Sequence, residues 1–170
     1  MMRKVRLMIA AGALGAAVLA WPAADAGAAA TGTTKPSAPA PEEAYEAGQE
    51  LVESGDFAGA RDAFEQAARL DPTDADAFNM LAYSQRRLGQ LDDAFDNYGK
   101  ALALDPEHKG AHEYIGEAYL MVGDLEKAEA HLATLMALCP DGCEESRMLG
   151  ESVERYKQND QNATLDSPRW

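Results

Sequence analysis

Basic residues and cysteine are scarce in this sequence. Its 170 residues include 15 lysines and arginines against 29 aspartates and glutamates, a formal net charge of −14, and only two cysteines. Nucleic acids and anionic lipid surfaces are bound by clustered lysine and arginine, so the charge balance argues against both partners. We expect the excess of acidic residues to serve solubility, with an acidic docking surface as the alternative.

Sequence motifs of catalytic and cofactor sites are also lacking. The chain has no glycine-rich phosphate loop, no nucleophile elbow and no Cys-x-x-Cys-His motif for haem attachment. Two of the three histidines, His108 and His112, are four residues apart, but His112 has the spacing of a buried helix face. We therefore expect no enzymatic activity, no catalytic residues, no metal and no cofactor.

Residues 1–26 have the three parts of a secretory signal peptide. Basic residues come first, an apolar, alanine-rich run follows over residues 7–21, and small residues come next, with cleavage expected after Ala26 or Ala28. The alternative is an uncleaved membrane anchor over residues 7–24, although so many alanines make a weakly hydrophobic span. We expect a periplasmic or secreted protein with no stable membrane insertion after cleavage.

Two segments that cannot form a core flank the part of the chain expected to fold. Residues 27–41 consist mainly of alanine, glycine, threonine, serine and proline, and this composition predicts a flexible linker. Residues 158–170 are polar and predict a flexible tail. The folded domain is therefore expected over residues 42–157.

Within this domain the sequence repeats every 34 residues. Small, apolar and proline positions recur in register, which chance does not readily produce. In each period, apolar residues spaced by three and four predict two helices; a glycine ends the first and a proline follows the second. The recurring sets are Gly55, Gly89 and Gly123; Ala60, Ala94 and Ala128; Phe64, Tyr98 and Leu132; Ala67, Ala101 and Leu135; and Pro72, Pro106 and Pro140.

The 34-residue period, the glycine followed by Asp or Gln, the alanine five residues later and the closing proline resemble the tetratricopeptide repeat family. The resemblance covers three units, residues 41–74, 75–108 and 109–142, and the amphipathic segment 144–157 resembles the helix that caps such arrays. It implies an all-α, right-handed α-solenoid of helix-turn-helix repeats. It also implies a concave groove, lined by the first helix of each repeat, that binds a peptide or a partner helix.

Helical spacing assigns nine residues to the groove, three from each first helix. They are Tyr45, Gln49, Val52, Asn79, Tyr83, Arg86, Glu113, Glu117 and Leu120. Tyrosine and arginine are enriched at binding hot spots, although an ordinary solvated helix surface explains any single position equally well.

The ligand of this groove is expected to differ from the acidic peptides that some family members bind. The lysines, asparagine and arginine of the family's carboxylate clamp are not matched here; the corresponding residues include Met80, Gly110 and Tyr114. The first helix and the third groove row are instead acidic. This charge predicts a basic or polar-aromatic ligand, with Arg86 binding one of its acidic groups.

The two cysteines lie at the end of the third repeat, where the tripeptide Leu-Asp-Pro that closes the first two repeats is replaced by Leu-Cys-Pro. Cys139 ends the last repeat and Cys143 begins the cap, and the Pro-Asp-Gly between them permits a tight reversal. In an exported protein this pair is expected to form a disulfide that fastens the cap to the array. Redox activity is less expected, because three residues separate the cysteines and their surroundings are acidic.

Together these features predict an exported, non-enzymatic scaffold or adaptor that binds a protein or peptide partner in the cell envelope. One alternative is a structural envelope protein that forms homo-oligomers by end-to-end packing of its repeats. A second, less favoured alternative is a thiol-redox protein that uses Cys139 and Cys143.

Overall fold

The structure, a computed structural model, describes residues 40–165, and all regular secondary structure in that range is helical. The helices are α1 (Pro41–Ser54), α2 (Phe57–Leu70), α3 (Ala75–Arg87), α4 (Leu91–Leu104), α5 (Lys109–Met121), α6 (Leu125–Leu138) and α7 (Glu144–Leu165). None of the helices in this range is both long and apolar enough to cross a membrane. The expected signal peptide, nearly all of the expected linker and the last five residues lie outside the described residues.

Short local signals set the helix boundaries. The first helix of each repeat is followed within two residues by Gly55, Gly89 or Gly123, whose φ angles of 81°, 76° and 81° lie in the left-handed region that favours glycine. Several helices begin at an aspartate whose carboxylate accepts a hydrogen bond from a free backbone N–H of the first turn, as Asp74 does from Ala77 at 3.1 Å. The 34-residue period thus repeats a helix-ending and a helix-starting signal.

The hairpins stack through small and aromatic side chains. In each repeat the two helices pack on each other, and the second helix also packs on the first helix of the next repeat, α2 on α3 and α4 on α5. Tyr98 of α4 is fully buried against Ala82 of α3 and Ile115 of α5. Such close crossing requires the alanine columns, because a larger side chain would separate the helices. The predicted all-α repeat solenoid is confirmed.

Helix α7 covers the open end of the array. It packs against α5 and α6, and its Leu149 and Val153 are buried with Ala128 and Leu135 of α6. Leu149 also rests on Gly116 of α5, where a Cβ atom would lie only 2.5 Å from the leucine methyl carbon. Helix α7 therefore covers the apolar face of the third repeat, in the position where the first helix of a fourth repeat would lie.

Helix α7 is longer than the sequence analysis expected. It runs to Leu165, past the expected end at residue 157 and into the segment expected to be a flexible tail. Neither proline nor glycine occurs between residues 151 and 165, so nothing in the sequence forces the helix to end earlier. Lys157 also joins the helix to Glu129 of α6 through an ion pair of 2.7 Å.

Cys139 and Cys143 lie at the junction between α6 and α7. Their sulfur atoms are at disulfide-bonding distance and their Cα atoms are 5.7 Å apart. Gly142, with φ of 87°, allows the chain to reverse between them. A bond at this point joins the end of the last repeat to the start of the cap, where an array begins to fray.

Replacement of both cysteines by serine is expected to lower the free energy of unfolding by roughly 2 kcal/mol, because the bridge closes a short loop in the unfolded chain. The measurement is denaturant unfolding of the oxidised protein and the double variant, with the mass of the oxidised chain checked for the loss of two hydrogens. Reductant should lower the stability of the original chain and leave the variant unchanged. An original chain that reductant does not affect would contradict this role.

Two histidines form a buried contact between α5 and α6. His112 Nδ1 and His131 Nδ1 are 2.9 Å apart, and His112 Nε2 lies 3.0 Å from the carbonyl oxygen of Pro106. Because that carbonyl can only accept, His112 carries its proton on Nε2 and accepts the Nδ1–H of His131. Burial, and next the repulsion from His112 that arises when both rings are protonated, lower the pKa of His131 to about 4.

Acidification is expected to destabilise the fold through His131. Its pKa is lower in the folded chain than the value near 6.5 of an unfolded histidine, so its contribution is complete above pH 6.5 and is lost as the pH falls toward 4. Between pH 7.5 and 5, the original chain should lose about 1–2 kcal/mol more than the His131→Gln variant in denaturant unfolding. Equal losses would show that this histidine does not titrate with unfolding.

Candidate functional site

The first helices α1, α3 and α5 form one face of the array, called here the first-helix face, and its centre is a cluster of aromatic and basic side chains. The rings of Tyr83 and Tyr114 have centroids 4.9 Å apart. The Arg86 guanidinium lies 5.4 Å from the centroid of Tyr83 and 5.7 Å from that of Tyr114. Its Nη2 also donates to Glu117 Oε2 at 2.8 Å. This packing holds the tyrosines and the arginine in fixed positions.

The pairing of Arg86 corrects one expectation. Arg86 was expected to bind an acidic group of the ligand, but the arginine already binds Glu117 and only 10% of its side-chain surface is exposed. The two residues lie on neighbouring first helices in corresponding parts of their repeats, so stacking brings opposite charges together. An arriving carboxylate would have to displace Glu117, which makes Arg86 a poor anchor for an acidic ligand.

The nine groove candidates differ widely in exposure. Gln49 is exposed, and Tyr45, Tyr83 and Glu117 are half-buried. Val52 packs against the core cluster that includes Phe64, and Leu120 packs against the one that includes Leu149. The first-helix face is therefore a partly closed surface, from which Gln49 is the most accessible of these side chains.

Asn79 and Glu113 are almost completely buried, with 4% of each residue exposed. One oxygen of each side chain, Asn79 Oδ1 and Glu113 Oε1, has no hydrogen-bond partner. Burial, followed by the negative charges of Glu117 and Glu145, raises the pKa of Glu113 to about 7, while Arg86 opposes this rise. The fold thus holds a carboxyl group where its charged form is poorly stabilised.

Carboxylates surround two open cavities at the edge of this face. The larger, of about 560 Å³, lies between the loops that precede α3 and α5 and is called here the Gly110 cavity. The smaller, of about 330 Å³, lies beside α1, and both are lined by Asp71, Asp74 and Asp76. The acidic rim of the two cavities consists of Glu42, Glu46, Asp71, Asp74, Asp76, Asp105, Glu107 and Glu145.

The acidic rim is largely uncompensated. Among the described residues, its one contact within ion-pair distance joins Asp76 to the imidazole of His108 at 2.9 Å, and Lys109 is the one lysine or arginine that lines either cavity. Burial, followed by the negative charges of Asp76 and Asp74, raises the pKa of Tyr45 to about 12. The rim therefore creates a negative potential next to the groove tyrosines.

Sequence reasoning missed most of this rim, because it selected residues within the first helices, whereas half of the rim lies in the loops before α3 and α5 and Glu145 lies in α7. A signal was present in the repeated phrase itself: Asp71 and Asp105 are 34 residues apart, and Asp74 and Asp76 follow the first of them. The burial of Glu113 was also missed. Glu113 has the same position in the third repeat as Tyr45 has in the first, and Tyr45 is only half-buried.

Replacement of Glu113 by glutamine is expected to stabilise the fold at alkaline pH. A pKa near 7 in the folded chain, against about 4.5 unfolded, means that Glu113 weakens the fold as the pH rises from 4.5 through 7. The gain in the free energy of unfolding from Glu113→Gln should be about 2 kcal/mol larger at pH 8 than at pH 5. Exposed Glu126 of α6 is the matched control, and Glu126→Gln should give the same small change at both pH values.

Comparison with known proteins supports this description of the fold. Two sequence profiles, both described as tetratricopeptide repeat, match residues 45–98 and 85–149. No curated protein sequence matches the chain significantly.

Solved structures of the same architecture include three tetratricopeptide proteins with low sequence identity. The TPR domain of Arabidopsis OM64 is 18% identical, with a TM-score of 0.63 over 69% of this chain and 96% of that one. The TPR2B domain of yeast Sti1, in a complex with pHsp70, is 21% identical, with a TM-score of 0.65 over 70% and 97%. The Yersinia enterocolitica type III secretion chaperone SycD, in complex with a peptide of the translocator YopD, is 24% identical, with a TM-score of 0.62 over 70% and 93%.

The fold, the 34-residue period and the two profile matches together show that this chain belongs to the tetratricopeptide repeat family.

Proposed function

We propose that this chain is an exported scaffold or adaptor that binds a peptide or helical segment of a cell-envelope protein on its first-helix face. The observation that carries the proposal is the pair of buried, unpartnered oxygens on Asn79 and Glu113, which lie on the same face as the half-buried tyrosines. Buried polar groups are normally paired, so a face that leaves two acceptors and the Nε donor of Arg86 open is suited to a polar ligand such as a peptide backbone, which both donates and accepts.

The fold and its relatives support the same function. Tetratricopeptide repeat proteins are typically interaction modules, and two of the solved structures that share this fold contain a bound partner, pHsp70 in one and a translocator peptide in the other. Those ligands were found with those proteins. The shared fold supports the binding of some protein segment by this chain, but it does not identify that segment. Export is proposed from the composition of residues 1–26.

The half-buried rings Tyr45 and Tyr83 suit the anchoring of a peptide or helix. Aromatic side chains bury a large area with little loss of conformational freedom, and Tyr83 is already fixed by the 2.8 Å hydrogen bond that Arg87 donates to its hydroxyl oxygen. Gln49 is exposed next to Tyr45 and offers both a donor and an acceptor to a backbone. A rigid aromatic surface with a few polar groups is the usual anatomy of a binding site for a protein segment.

Photo-crosslinking in living cells tests the proposal. A photoreactive amino acid is placed at Gln49 or Tyr83 on the first-helix face and, as the matched control, at exposed Asp96 of α4. We expect one envelope protein to crosslink at the first two positions and not at the third. Equal capture at all three positions would contradict a specific site on this face, and capture of a second copy of the chain alone would favour a self-associating protein.

A further inference from the structure

An open cavity of about 600 Å³ lies between the second helices α2 and α4, both of which pack on α3. It is called here the second-helix cavity, and its lining includes Arg69 of α2, Phe78 and Gln85 of α3, and Asn97 and Lys100 of α4. It shares no lining residue with the two cavities at the acidic rim. It is therefore a separate feature of the array, on the side of the second helices.

The corresponding space between α4 and α6 is occupied by aromatic rings. Tyr119 and His131 lie 34 residues after Gln85 and Asn97, and their rings stack with centroids 5.7 Å apart. The ring of Phe95 also packs on Tyr119, with centroids 4.7 Å apart. The repeat can thus close this space with large side chains, and the smaller amides of Gln85 and Asn97 leave it open at the preceding junction.

A chain of hydrogen bonds fixes the orientation of the two amides. Lys100 Nζ lies 2.9 Å from Asn97 Oδ1, and Asn97 Nδ2 lies 2.8 Å from Gln85 Oε1. Because an ammonium group can only donate, Asn97 turns its oxygen to Lys100 and its nitrogen to Gln85. Gln85 then accepts with its oxygen, and its Nε2 has no hydrogen-bond partner among the described residues. The cavity therefore contains an open pair of N–H donors.

Burial and charge both favour an acceptor that is negatively charged. Gln85 and Asn97 are almost completely buried, with 9% and 7% of each residue exposed, so an unused donor on Gln85 is unfavourable. Arg69 and Lys100 line the same cavity, and neither forms an ion pair with a described residue. The carboxylates of Glu65 and Asp93 on the exposed walls disfavour a ligand with several negative charges. The lining thus suits a single carboxylate.

An apolar surface adjoins the positive charge. Leu81 is buried and Phe78 is half-buried at the cavity, and Lys100 Nζ lies 5.4 Å from the centroid of the Phe78 ring. A volume of 600 Å³ lies within the range of about 300–1,000 Å³ that is usual for small-molecule sites. Such sites combine apolar contacts with a few oriented polar groups, which is the composition found here.

We propose that the second-helix cavity binds a small organic acid in which one carboxylate is joined to an apolar group and to a second hydrogen-bond acceptor. The carboxylate binds Arg69 and Lys100, the second acceptor binds the Nε2–H of Gln85, and the apolar group contacts Phe78 and Leu81. The site goes beyond the proposed function, because none of these residues is a groove candidate on the first-helix face.

NMR spectroscopy of the purified, ¹⁵N-labelled chain tests the site. The probe is N-acetylphenylalanine, which carries a carboxylate, an amide carbonyl and an apolar ring, and the matched probe is N-acetylphenylalaninamide, which lacks the charge. We expect the acid to shift the side-chain NH₂ signals of Gln85 and Asn97 and to bind about tenfold more tightly than the amide. Equal affinities, or signals that neither probe shifts, would overturn the proposal.

Two charge variants separate the cavity from general attraction of an anion to lysine. Lys100→Gln removes the charge and keeps a donor for Asn97, and it should weaken binding of the acid about fivefold or more. Lys109→Gln removes the same charge from an exposed position on α5 and should change the affinity less than about twofold. Equal effects of the two variants would overturn the site.

Filling the cavity gives an independent check. Gln85→Tyr introduces the residue found at the corresponding position of the next repeat, and it should abolish the binding that the original chain shows. Because a larger side chain can disturb the fold, exposed Arg69→Gln is tested beside it and should weaken binding about fivefold. Unchanged affinity in a folded Gln85→Tyr variant, or in Arg69→Gln, would contradict the proposal.

A peptide distinguishes a small acid from an acidic protein segment. The tetrapeptide Ala-Phe-Glu-Ala, blocked at both ends, carries the ring and the carboxylate within a continuous backbone. Weaker binding of this peptide than of N-acetylphenylalanine would support a small ligand. Tighter binding of the peptide would overturn that ligand class and assign the cavity to a protein segment.

Discussion

Each helical hairpin of this chain has an apolar face that only the next element of the array can cover. The junctions show how closely this cover must fit: Phe64 and Tyr98 are fully buried, and Ala60 and Ala94 beside them expose no surface. Exchanging such an alanine for a larger residue would force adjacent helices apart, at a typical cost of 1–3 kcal/mol. The regular stacking, the edge cavities and the first-helix face all follow from this requirement.

At the end of the array, no further repeat is present to cover the apolar face of the last hairpin. Helix α7 supplies the missing neighbour, and the seating of Leu149 on Gly116 fixes its position on α5. Cys139 and Cys143 strengthen the junction that no further repeat supports. The cap also has a consequence for chemistry, because Glu144 and Glu145 at its start bring two more negative charges near Glu113. A helix that completes the core thus helps to set the pKa of a groove residue.

The sequence predicted the repeat, the helix boundaries within the array and the family, because these depend on local signals such as Gly55 and Asp74 and on a period that counts residues. It did not predict how deeply a groove residue lies. Tyr45, Asn79 and Glu113 occupy the same column, yet the first is half-buried and the other two are buried, since different neighbours cover each row. The Arg86–Glu117 pair was missed for the same reason: each residue was assigned to the groove separately, and their contact arises only when α3 and α5 stack.

A carboxyl group that is buried without a partner is unfavourable for folding, so its position needs a physical explanation. The stacked repeats do not require an ionisable residue at position 113, since the corresponding positions hold tyrosine and asparagine. Stability alone would favour a neutral residue there, because removing an unpaired charge from the interior stabilises a fold. What distinguishes Glu113 from its counterparts is an ionisable carboxyl group whose Oε1 is buried without a hydrogen-bond partner. A ligand that donates a hydrogen bond to Glu113 Oε1 would offset this cost, which is the reason to regard it as part of recognition.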